Sequence, residues 1–70
     1  MMPLTMAKTG EMNFIKKVTG KEDIKRFLES LGFVTGSNVI VISKNNGNVI
    51  VNIKESRIAI SQEMANKIMV

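Results

Sequence analysis

Asn38-Val39-Ile40-Val41-Ile42-Ser43, Lys44-Asn45-Asn46-Gly47, Asn48-Val49-Ile50-Val51-Asn52-Ile53-Lys54 is the stretch on which the fold turns. Two β-branched runs flank an Asn-Gly pair, which predicts a tight hairpin of strands 38–43 and 48–54. Side chains alternate along a strand, so Val39 and Val41 face one way and Ile40 and Ile42 the other. In the second strand Val49, Val51 and Ile53 share a face and Ile50 points opposite. Both faces are therefore apolar, whereas a small barrel has a single interior. Two covers are open for the second face. One is an amphipathic helix with its own stripe to bury. The other is a protein partner, because a soluble monomer rarely leaves a large apolar patch without use.

The segment upstream supplies such a helix, over 21–31. Ile24, Phe27, Leu28 and Leu31 fall in one stripe about 100° wide, with Glu22, Lys25, Arg26 and Glu29 opposite. Glu22 and Asp23 suit the positive end of the helix dipole. Thr19 with Glu22 fits a capping box, and Gly20 is an alternative start. Gly32 ends the helix as a left-handed residue, which puts Phe33 where a Schellman cap would bring it against Leu28. Residues 12–18 read as a first strand, and Leu4 and Met6 as candidates to dock on the domain. Downstream, Glu55-Ser56 turns the chain into a short strand 57–60. Ser61 then caps a short helix with Met64, Ala65 and Ile68 on one side. Residues 68–70 offer a closing fifth strand. The fold class is all-β, a small antiparallel barrel of about five short strands with one inserted α-helix and a short C-terminal helical segment.

Seventy residues make one domain, 1–70, and 44% hydrophobic with 23% charged residues is ordinary for a folded one. The chain has no Cys, His, Trp or Tyr. Without His or Cys, and with no paired carboxylates, neither a nucleophile nor a base is in evidence, so an enzyme is not expected. No catalytic, cofactor-binding or metal-binding residue is assigned. Ferrous iron favours imidazole and carboxylate ligands, and only carboxylates are present. Glu22 and Asp23 diverge on the helix, and Met64 and Met69 read as core filler. The net charge of +4 favours acidic partners. Nucleic acid is not expected, since Phe27 and Phe33 are taken up by helix and cap and leave only Phe14 to stack. No signal peptide or membrane span is read, so the expected location is cytoplasmic.

Three groups of residues carry a family resemblance. The first is Leu28-Glu29-Ser30-Leu31-Gly32-Phe33-Val34-Thr35-Gly36, running straight into the valine-rich strand. The second is Arg57-Ile58-Ala59-Ile60, followed by a short helix holding Glu63 and Ala65. The third is the early Gly10, with Ile15 in the strand after it. Together they resemble the FeoA family over nearly the whole chain, with Thr35 where many members place Pro. The resemblance implies an SH3-like barrel of a transition-metal-related class. It also implies a cytosolic accessory role in ferrous-iron import by FeoB, a membrane transporter with a cytoplasmic GTP-binding domain that would recruit the protein to the inner face of the membrane. The alternatives are a stand-alone relative of the C-terminal SH3-like domain of metal-dependent repressors, or a small basic RNA-binding barrel. The expected partner-binding residues are Phe33, Val34, Thr35, Gly36 and Arg57. Phe33 would lend apolar area and Arg57 would pair with an acidic patch.

Overall fold

In a computed structural model, which describes residues 1–70, the elements in chain order are β1 (Met12–Phe14), β2 (Lys17–Val18), α1 (Glu22–Ser30), β3 (Asn38–Asn45), β4 (Asn48–Ile53), β5 (Ser56–Ser61), α2 (Gln62–Ala65) and β6 (Ile68–Met69). The hairpin stretch is the centre of a four-stranded antiparallel sheet in the order β1-β3-β4-β5, and β2 and β6 pair as a second, two-stranded sheet. The turn of the hairpin is shorter than the sequence implied. Asn45 pairs with Asn48, which leaves only Asn46 and Gly47 between the strands. Val41 pairs with Val51 but Ser43 with Ile50, so Ile42 is an extra residue in β3. Such a bulge raises the local twist and helps a short sheet to curl.

The expected single strand over 12–18 is two strands in two sheets. Ile15 N–H donates to Ser37 C=O at 2.9 Å, whereas Lys16 N–H donates to Met69 C=O at 2.8 Å. The chain changes sheets between those two residues, and this closes the barrel. The N-terminal segment contributes more than docking. Met2 N–H donates to Val70 C=O at 2.9 Å and Val70 N–H to Met2 C=O at 2.8 Å, so the segment runs beside β6. Leu4 and Ala7 are fully buried, while Met6 is 68% exposed. Lys44 crosses from β3 to donate its Nζ to the C=O of Thr5 at 2.7 Å and of Ala7 at 3.0 Å, fastening the 3-10 turn at Leu4–Met6.

Both ends of α1 can be judged in detail. The capping box does not form: Lys21 is the N-cap with no side-chain bond, and Thr19 Oγ1 donates instead to Lys67 C=O at 3.1 Å. The C-terminus is the Schellman arrangement. Gly32 N–H donates to Glu29 C=O at 2.9 Å and Phe33 N–H to Leu28 C=O at 3.0 Å. Gly32 sits at φ +108°, which a residue with a Cβ rarely adopts. In α2, Ser61 caps as expected, its Oγ accepting from Met64 N–H at 3.1 Å.

The core is built from the inward sheet residues Val39, Val41, Val49, Val51, Ile53 and Ile60, plugged by Leu28 and Phe33. Ile24 and Leu31 pack against the same cluster, so α1 covers the barrel interior. Phe27 does not join them and is 48% exposed. It lies about 60° round the helix from Ile24, at the edge of the stripe.

Candidate functional site

Because α1 seals the interior, it does not cover the second face of the sheet. Strand register fixes what that face presents, since residues paired across strands share a side. One row runs Met12, Ile40, Asn52, Arg57 across all four strands. On one side of it Phe14 pairs with Asn38; on the other, Ser43, Ile50 and Ala59 form a row. Ile40, Ile42 and Ile50 are half-buried and stand apart from the core cluster, and Ala59 is exposed. Met12 is 47% and Phe14 54% exposed. This makes an apolar outer face with a polar margin of Asn38, Asn52 and Arg57.

A cleft of about 450 Å³ opens at one end of this face, lined by Met12, Gly36, Ser37, Asn38, Ile40, Asn52, Lys54 and Glu55. Its floor is Met12 and Ile40, and its rim is backbone and polar side chains from two turns. The first turn is held open by Gly36, at φ +90°, whose N–H donates to Ile15 C=O at 2.7 Å. The second is the two-residue connection of β4 to β5, with Ile53 paired to Ser56. Both its residues have positive φ, Lys54 at 48° and Glu55 at 65°. Such a turn is normally made by Asn-Gly, because other residues are strained there. The pair Lys54-Glu55 is thus poor for the turn, while both side chains border the cleft. Replacing it by Asn-Gly (Lys54→Asn with Glu55→Gly) should raise stability by about 1 kcal/mol through relief of that strain. A urea titration of both proteins checks this, with a higher midpoint at unchanged slope as the expected result.

The five residues expected to bind a partner are divided by the structure. Gly36 lines the cleft, and Arg57 stands beside it as the exposed cross-strand neighbour of Asn52. Val34 and Thr35 border a different hollow of about 420 Å³, shared with Val18, Lys25, Glu29 and Phe33. Phe33 is 0% exposed and cannot lend its ring to a partner. It is the largest fully buried side chain of the core, held inward by the Schellman bonds. Met12, Ala59 and Lys54, which also border this face or its cleft, are not marked by the sequence. The alternation of Ile40, Ile42 and Ile50 against the valines was the available signal for this face.

Chemically, the face offers apolar area, polar margins and cations. No three acidic, His or Cys side chains converge where they could hold a metal ion. No helix is long and apolar enough to cross a membrane.

The family model for the FeoA domain matches residues 2–70. The chain belongs to the FeoA family. A curated relative from Methanocaldococcus jannaschii, named "Putative Fe(2+) transport protein A", is 43% identical over 70 residues, covering 100% of this chain and 85% of the relative. The FeoA of Stenotrophomonas maltophilia, solved in complex with zinc and described as an SH3 domain protein, superposes with a TM-score of 0.86 at 24% identity, over 100% of this chain and 89% of that one. A manganese-dependent transcriptional repressor contains the same fold, with a TM-score of 0.86 at 17% identity, over 94% of this chain and 38% of that one. The fold of this FeoA chain is accordingly SH3-like, as the sequence resemblance implied. The likeness to the repressor extends to the fold alone.

Proposed function

We propose that this chain is a cytosolic accessory protein of ferrous-iron uptake, which works by binding the cytoplasmic part of a FeoB-type transporter and carries out no chemistry of its own. Membership of the FeoA family supports the iron-transport setting. The observation that carries the binding mode is the apolar outer face, which α1 leaves uncovered because its own stripe is spent on the barrel interior. A face of this kind, with an apolar centre and polar rim, has the make-up of a docking surface. Gly36 and Arg57 remain in the proposed contact. Val34 and Thr35 would reach the same partner only if it extended over the α1 side. Phe33 drops out. Exposed Phe14 stands among Met12, Asn38 and Ile40, a setting suited to protein contact more than to stacking along a charged strand.

Ile40→Lys tests this reading. The residue is half-buried in the middle of the outer face and outside the core cluster, so the domain should stay folded, with a change within the ~1 kcal/mol span of strand propensities. A charge placed at the centre of an apolar contact should weaken transporter binding by about tenfold or more. The checks are a thermal melt and ferrous-iron uptake in cells whose only copy is the variant. A folded Ile40→Lys protein that supports full uptake would overturn the outer face as the contact.

A further inference from the structure

Strand β5 is an edge with unused hydrogen-bonding capacity, because the four-stranded sheet ends on it. Ile53 and Ser56 flank the two-residue turn as a hydrogen-bonded pair, and bonded and non-bonded pairs alternate from there. Ser56, Ile58 and Ile60 therefore direct their N–H and C=O groups to β4, and those of Arg57 and Ala59 point away from the sheet. Outside the ladder itself, no backbone or side-chain hydrogen bond reaches either residue. Both are exposed. Native edges are commonly blunted by a short strand, proline, a bulge or a covering loop. Here β5 has six residues paired with β4 without a break, and Arg57 is its one charge.

We infer that β5 is completed by an extended segment of a partner protein, added antiparallel beside Arg57 and Ala59, with an acidic side chain facing Arg57 and apolar ones facing Ala59. This rests on the docking reading above and specifies how the partner engages. Strand addition draws affinity from main-chain bonds and specificity from alternate side chains. The outer-face side of the added strand would continue the row of Ile50 and the small Ala59, where there is room for a β-branched residue. Charge decides the occupant. Arg57 lies on the strand and Lys54 at its turn, with Glu55 the single acid of that turn, and the chain as a whole carries +4. Lys44, by contrast, is spent on Thr5 and Ala7. An acidic segment is attracted to such an edge, whereas a second copy would set two chains of +4 and two Arg57 side chains near one axis.

The test uses the full chain, labelled with 15N, and a synthetic peptide, acetyl-Asp-Thr-Val-Thr-Glu-Thr-Val-Thr-Asp-amide, with a counterpart that has Lys in place of every acid. The amides of Arg57 and Ala59 should exchange freely in the protein alone and slow by about tenfold or more at peptide saturation, as expected of amides newly bonded in a ladder. The Lys counterpart should bind about tenfold more weakly. Ala59→Pro removes one outward donor without touching the β4 ladder, as proline is tolerated at an edge, and should lower peptide affinity about tenfold. Arg57→Glu, which leaves the backbone intact, should reverse the preference between the two peptides. Strand addition is overturned by failure of the acidic peptide to bind, by binding without protection of these two amides, or by unchanged affinity in folded Ala59→Pro. Concentration-dependent protection of the same amides without peptide would assign the edge to a second copy and overturn the acidic occupant. Full uptake by Ala59→Pro alongside loss of uptake in Ile40→Lys would reject the strand and keep the outer face.

Discussion

Phe33→Ala is expected to remove a large share of the domain's stability. The side chain is 0% exposed and is the largest of those fully buried in the core. Removing a buried Phe ring costs about 3–5 kcal/mol, from lost burial and from the cavity that remains. A domain of this length has about 4–10 kcal/mol in total. At about 4–8 °C per kcal/mol for so small a domain, the melting temperature should fall by more than about 12 °C. Circular dichroism melts of the parent and of Phe33→Ala provide the measurement, with Phe33→Leu as a milder control that leaves a smaller cavity. Loss of iron uptake in Phe33→Ala cells would then follow from loss of folded protein. If Phe33→Ala melts within a few degrees of the parent, the ring is not a core plug, and its assignment to a partner surface returns.

The stretch from Leu28 to Gly36 was legible as a helix end, because Gly32 followed by an apolar residue is a local signal with a local cause. The same stretch was not legible as surface or interior. A Schellman cap turns the C″ residue back onto its own helix, and whether the region is then enclosed depends on residues distant in sequence. Residues 38–43 were legible as a strand from their β-branched alternation, and so was the excess of apolar residues on its second face. What covers that face is a tertiary choice between two packings, and local pattern pointed as well to α1 as to a partner. Likewise, nothing in Met12 to Val18 marks the switch between sheets at Ile15 and Lys16, since both halves are extended and differ only in the strand they meet. Leu4 and Ala7 lack any periodicity and enter the core because Met2 pairs with Val70 at the far end of the chain. The positive φ of Lys54 and Glu55 was hidden for a simpler reason, because neither residue type prefers that conformation.

Gly32→Ala should cost about 2 kcal/mol and impair the cleft as well as the fold. At φ +108° a Cβ is disfavoured in its own right, by about 1–2 kcal/mol for the left-handed side of the map. The space beside the residue adds no steric penalty while the backbone keeps its conformation. A Cβ built on Gly32 would stand 3.4 Å from Cδ and from Cγ of Lys54 and 3.5 Å from Cγ1 of Ile53. These are ordinary contact distances, so the new methyl fits if the chain holds its conformation. If the backbone relaxes toward negative φ to relieve the strain, the N–H of Phe33 must leave Leu28 and the helix end opens. The Lys54 stem, resting over Gly32, would be carried along with the β4-β5 turn that borders the cleft. A melting temperature lower by about 8–16 °C is therefore expected. The turn replacement Lys54→Asn with Glu55→Gly separates the two effects, since it shortens the side chain over Gly32 and relaxes its own strain. If Gly32→Ala is as costly in that background as in the parent, backbone conformation alone sets the penalty. A smaller cost there would mean that the Lys54 stem and the helix end are coupled, because only interacting sites depart from additivity. A parent-like melt for Gly32→Ala itself would show that the helix does not need a left-handed residue to turn into the loop before β3.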